Sequence, residues 1–111
     1  MAIDVYLRTL DGKKKELLED PDGSLNRLWP IGDRLFPLLQ YIDPYGTTVF
    51  GATQASQVQK ELKALIERTT NDRDRNLLIC ALSFAERLGQ HPHWFLWFQE
   101  IDCRDATSRG T

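Results

Sequence analysis

Tyr41-Ile42-Asp43-Pro44-Tyr45-Gly46-Thr47-Thr48-Val49-Phe50-Gly51 divides the chain into halves of different character and carries its most restrictive backbone chemistry. Pro44 fixes its own φ and keeps Asp43 out of the helical region, while Gly46 is free to take positive φ. Asp at the first position, Pro at the second and Gly at the fourth predict a β-turn over residues 43–46. The β-branched run behind it predicts a short strand over residues 47–50. Such a loop sets Asp43, Tyr45 and Thr47 side by side as candidate partner-binding residues.

Upstream of this turn the pattern is that of strands. Ile3, Val5, Leu7 and Thr9 alternate with Asp4, Tyr6, Arg8 and Leu10, the period of a half-buried strand. Asp11-Gly12 favours a tight two-residue hairpin, so residues 13–18 are expected to return as a second strand whose lysines suit an exposed edge. Glu19, Asp20, Pro21, Asp22 and Gly23 form a dense breaker cluster. One helical turn is expected over residues 24–28, with Ser24 as N-cap, before Pro30 and Gly32 stop it. Another short helix is expected to start at Pro37 and to run to Tyr41.

Downstream the period changes to that of helices. From residue 53 or 54 to about residue 68, Ala55, Val58, Leu62, Leu65 and Ile66 share one face, and Gln57, Lys60, Glu61, Lys63 and Glu67 are expected to cover the other. After a polar break, Asn71 with Asp74 three residues on reads as a capping box for a second helix of about 16 residues. Leu77, Leu78, Ile79, Cys80, Ala81, Leu82, Phe84, Ala85 and Leu88 predict that this is the most buried element, lying between the first helix and a sheet. Gly89 is the expected C-cap, with Pro92 just beyond. Residues 93–100 read HWFLWFQE, with aromatic rings on both faces of a strand, which an interior place beside the first strand would explain.

These elements predict an α+β fold: a small antiparallel sheet of about three to four strands, packed on one face by two main C-terminal helices. Residues 1–101 form the expected single domain, with residues 102–111 as a polar tail. A chain of 111 residues, 41% hydrophobic and 10% aromatic, supports one core. Its net charge of −2 lacks the basic footprint of general nucleic-acid binding. Lys13-Lys14-Lys15 is answered at once by Glu16, Glu19, Asp20 and Asp22. No apolar run approaches the roughly 20 residues that span a bilayer, and the first residues carry no signal-like segment, so a cytoplasmic protein away from membranes is expected. Cys80 and Cys103 are expected as reduced thiols.

No catalytic, cofactor or metal motif emerges from these residues. His91 and His93 stand at i, i+2 with no Cys pair or HExxH to complete a zinc site. Cys80 reads as a small apolar core group and Cys103 as an incidental thiol of the tail. Asp72 and Asp74 are accounted for by the helix cap and dipole. What remains is binding chemistry. Clustered carboxylates at Glu16, Glu19, Asp20 and Asp22 would steer a basic partner. Trp29, Trp94 and Trp97 are rings that serve either as core or as interface anchors. The expectation is a non-enzymatic protein-binding module that uses no cofactor, with Glu16, Glu19, Asp20, Asp22, Asp43, Tyr45, Thr47 and Trp29 as partner-binding residues. The alternative is a small hydrolase or ligand-binding enzyme with Asp43, Tyr45 and a histidine around a pocket near residues 43–47. An exposed aromatic strand surface would also permit a homodimer.

Three segments carry a resemblance. Arg8-Thr9-Leu10-Asp11-Gly12, Asp20-Pro21-Asp22-Gly23-Ser24 and, above all, Gln40 to Phe50 look like a group of small standalone bacterial proteins. Some small acidic proteins of this type resemble immunity proteins of bacterial toxin systems, which bind and block one toxin domain. The likeness covers the greater part of the chain. It implies a protein partner, in the form of a basic toxin domain, and transfers no set of functional residues.

Overall fold

The computed structural model describes residues 2–9, 11, 14–18, 27–43 and 45–101. Strands β1 (Ala2–Thr9) and β2 (Lys14–Leu18) open the fold, and β3 (Thr47–Gly51) follows a looped connection. A 3-10 turn (Ala52–Gln54) leads into α1 (Ala55–Arg68), then α2 (Asp72–Gln90), and β4 (Trp94–Ile101) closes it. The sheet is antiparallel with the order β2-β1-β4-β3, so the aromatic strand β4 is interior and lies between β1 and β3. The fold is α+β, with both helices against one face of the sheet.

Strand alternation decides which residues face the helices. Ile3, Val5 and Leu7 of β1, Leu18 of β2, Phe50 of β3, and Leu96 and Phe98 of β4 are all buried on that side. Register places Val5 opposite Phe98 and Leu7 opposite Leu96, and the Phe98 ring meets Phe50 edge-on at 5.7 Å. The other face carries Tyr6, Trp97 and Val49 in one cross-strand row, and the Arg8 guanidinium lies 4.7 Å from both the Tyr6 and the Trp97 ring centres. The register of Val5 with Leu18 is the one that a two-residue turn at positions 11 and 12 sets, but a bulge between Leu7 and Arg8 then shifts it. Gly12 itself lies outside the described residues, as do residues 24–26 of the expected early helical turn.

Both helices start and face as their periodicity requires, with four corrections. Asn71 caps α2 as expected, its Oδ1 accepting from the Asp74 amide at 3.1 Å. Gly89, however, is not the C-cap: α2 continues to Gln90 and the cap is His91. A Cβ at Gly89 would lie 3.5 Å from Ala55 Cβ and 3.6 Å from Gln59 Nε2, so the glycine sits beside the first turns of α1. As expected, α2 lies between α1 and the sheet, packing on β4 and β1, but it is not the most buried element. It buries one face, Leu78, Ala81, Phe84, Ala85 and Leu88, and leaves Ile79 47% exposed. Cys80, expected in the core, turns away from that face and is exposed. Glu61, expected on the solvent face of α1, is only 3% exposed. The short helix expected from Pro37 shrinks to the 3-10 turn Leu39–Tyr41.

Among the described residues no helix is long and apolar enough to cross a membrane.

Candidate functional site

The connection between β2 and β3 is built from the inside. Phe36, Leu39 and Ile42 enter the core, each with 3% exposure or less. Buried apolar side chains pull their amides out of water with them, and those amides need acceptors. Glu61 of α1 supplies these acceptors. Its Oε1 accepts from Leu38 N at 3.0 Å and from Leu39 N at 2.8 Å, and its Oε2 accepts from Gln57 Nε2 at 2.9 Å. The first residues of Leu39–Tyr41 therefore receive from another helix the cap their own side chains do not provide. Gly32 closes the base of the loop, donating to Gln40 O at 3.0 Å from φ +77°, a backbone region natural to glycine. Asp33 ties the loop to the end of α1, with Oδ1 accepting from Leu35 N and Oδ2 3.4 Å from Arg68 Nη1.

The expected turn at residues 43–46 is present. Gly46 N–H donates to Asp43 O at 3.4 Å, Tyr45 N–H to Asp43 Oδ1 at 2.8 Å, and Asp43 N–H to Thr48 Oγ1 at 2.9 Å. Thr48 is also 3.5 Å from Tyr41 O, so one hydroxyl bridges the two arms of the loop. Asp43 is exposed, yet part of its carboxylate is spent on the turn. Tyr45 and Thr47 are exposed and stand next to it.

With its inward residues fixed, this segment presents large apolar side chains to solvent. Ile31 is 45% exposed, Leu35 80%, Tyr41 71% and Tyr45 74%. Four of the seven large hydrophobic residues that stand exposed among the described residues thus fall within residues 31–45, and Val49, 40% exposed, follows on β3. Ile31, Leu35 and Tyr41 are not distinguishable in the sequence: neighbours of the same kind, Phe36 and Leu39, go inward.

The remaining candidates divide. Trp29 does not reach a partner surface: it is 5% exposed, and its ring meets Phe98 edge-on at 5.0 Å. Glu16 is exposed but pairs with Arg87 of α2, which neutralises its charge locally. Glu19, Asp20, Asp22 and Cys103 lie outside the described residues. Trp94 is half-buried with the His91 ring stacked on it at 3.7 Å. The pocket imagined between Asp43 and a histidine is not formed. Asp43 precedes Thr47, which pairs with Gln99, whereas His91 and His93 precede Trp94 at the other end of β4. Five residues of strand separate those ends by about 16 Å. Among the described residues no group of three or more His, Cys, Asp or Glu side chains is placed to hold a metal ion. A hollow of about 290 Å³ opens between Arg27, Leu65, Arg68, Asn71 and Asp74, and its arginines already face Asp74 at 3.9 Å and Asp33 at 3.4 Å.

No family model matches the chain, and neither a curated protein nor a solved structure matches it.

Proposed function

We propose that this chain is a non-enzymatic protein-binding module, an immunity-type inhibitor that seats a basic toxin domain on the surface of residues 31–47. The observation that carries this reading is the concentration of exposed Ile31, Leu35, Tyr41 and Tyr45 on a segment held by buried Phe36, Leu39 and Ile42 and by the bonds of Glu61 to the Leu38 and Leu39 amides. Clustered exposed apolar side chains mark interaction sites, and tyrosine is among the residues that dominate binding energy at such sites. A loop already held in one geometry also loses little conformational freedom on binding. Asp43 beside Tyr45, with the acidic segment at Glu19, Asp20 and Asp22, favours a basic partner through steering.

The test is capture from a host lysate at low and at moderate salt, run in parallel with a Leu35→Ala/Tyr41→Ala/Tyr45→Ala variant. A single stoichiometric protein retained by the native chain and lost by the variant, at equal melting temperature, supports the surface. Equal retention by both shows that the surface is elsewhere. Retention of nothing by the native chain at either salt removes the binding-module reading.

A further inference from the structure

The two edges of the sheet differ in a way that bears on self-association. Edge strand β2 carries Lys14, Lys15 and Glu16, and its ladder to β1 is bulged. Charges and bulges are the usual defences against edge-to-edge pairing. Edge strand β3 has neither. It reads TTVFG, its ladder to β4 runs from Thr47 to Gly51 without a shift, and it lies in residues 44–59, the longest run of the chain free of Asp, Glu, Lys and Arg.

Its backbone is also presented suitably. Gly51 N–H donates to Gln54 Oε1 at 2.9 Å, which puts that amide on the side away from β4. Residues two and four positions earlier point the same way in a strand, so Val49 and Thr47 turn their N–H and C=O groups to the open edge. Val49 is 40% exposed there.

We propose that β3 pairs antiparallel with β3 of a second copy, Val49 opposite Val49, joining two sheets into one of eight strands. In this register Thr47 opposes Gly51 and Thr48 opposes Phe50, and no charge meets another. The pairing exchanges two Val49 N–H···O=C bonds and covers two exposed β-branched side chains at its centre. The edge meets the heterologous surface above only at Thr47, since Ile31, Leu35, Tyr41 and Tyr45 lie off β3.

Sedimentation velocity with light scattering, from about 1 μM to about 1 mM, covers the range in which small interfaces dissociate. The native chain is expected to pass from monomer mass to twice that mass. Val49→Pro removes an N–H that the β4 ladder does not use, and Val49→Lys sets two ammonium groups face to face. Each is expected to weaken the dimer by at least about tenfold while the far-UV circular dichroism stays native. Should Val49→Pro fail to fold, Val49→Lys decides. A native chain that keeps monomer mass across the range overturns the proposal, as does a dimer that folded variants leave unchanged.

Discussion

Glu61 Oε1 lies 2.8 Å from the amide nitrogen of Leu39, 22 residues earlier in the chain, and both residues are buried. A carboxylate in the interior is costly to desolvate unless its oxygens are met by donors, and here two backbone amides and the Gln57 amide meet them. The arrangement joins α1 to the segment that displays Ile31, Leu35 and Tyr41.

Removing that carboxylate leaves the Leu38 and Leu39 amides without an acceptor. Glu61→Ala is expected to lower stability by about 2–4 kcal/mol, from orphaned donors and a small cavity together. Glu61→Gln keeps one carbonyl acceptor and should cost clearly less. Urea unfolding of both variants checks the order; equal losses would show that the amides do not depend on the acceptor.

Within the turn, the role of Asp43 separates into geometry and charge. Asp43→Asn keeps the oxygen that accepts from Tyr45 N, so thermal stability should change by less than about 0.5 kcal/mol, whereas Asp43→Ala loses it and should cost about 1 kcal/mol. Thr48→Val removes the acceptor for Asp43 N and is expected to cost a similar amount. A partner whose association slows with Asp43→Asn at unchanged melting temperature reads the charge itself.

Gly89 offers a gain. It lies inside α2, and an added Cβ would meet Ala55 and Gln59 at ordinary contact distances of 3.5 and 3.6 Å. Gly89→Ala should therefore raise stability by about 0.5–1 kcal/mol through helix propensity and reduced freedom of the unfolded chain. A higher urea midpoint with an unchanged slope is the expected result, and a lower midpoint would show that the helices cannot accept the methyl.

The α2 cap can be tested separately. Asn71→Ala removes the acceptor for Asp74 N and should cost about 1 kcal/mol, while Asn71→Asp or Asn71→Ser should retain most of the stability. Thermal melts of the three variants give the ranking directly.

Much of the fold is legible in the sequence because it depends on local chemistry. The alternation of Ile3, Val5 and Leu7, the Asn71 cap, the 43–46 turn and the aromatic run from Trp94 each carry their own signal. The surface is less legible. Cys80 and Ile79 sit among apolar neighbours that differ from them only in the direction they face, and a nearly continuous apolar helix does not reveal which stripe is buried. Glu61 had a signal that its charge obscured. It lies three residues after Val58 and four before Leu65, on the apolar face of α1, so a carboxylate there had to find donors. Trp29 and Tyr45 show the remaining difficulty: both are aromatic residues in loops, and only long-range packing makes one core and the other surface.

The sheet order has a consequence for how the molecule is made. β1 pairs along its whole length with β4, from Ala2 opposite Ile101 to Thr9 opposite Trp94. Until residue 101 has left the ribosome, β1 has only β2 beside it and β3 has no strand at all, so the central ladder closes last. Contacts between such distant parts of a chain make folding slow and all-or-none, and the apolar inner faces of β1 and β3 stay open until β4 slides between them.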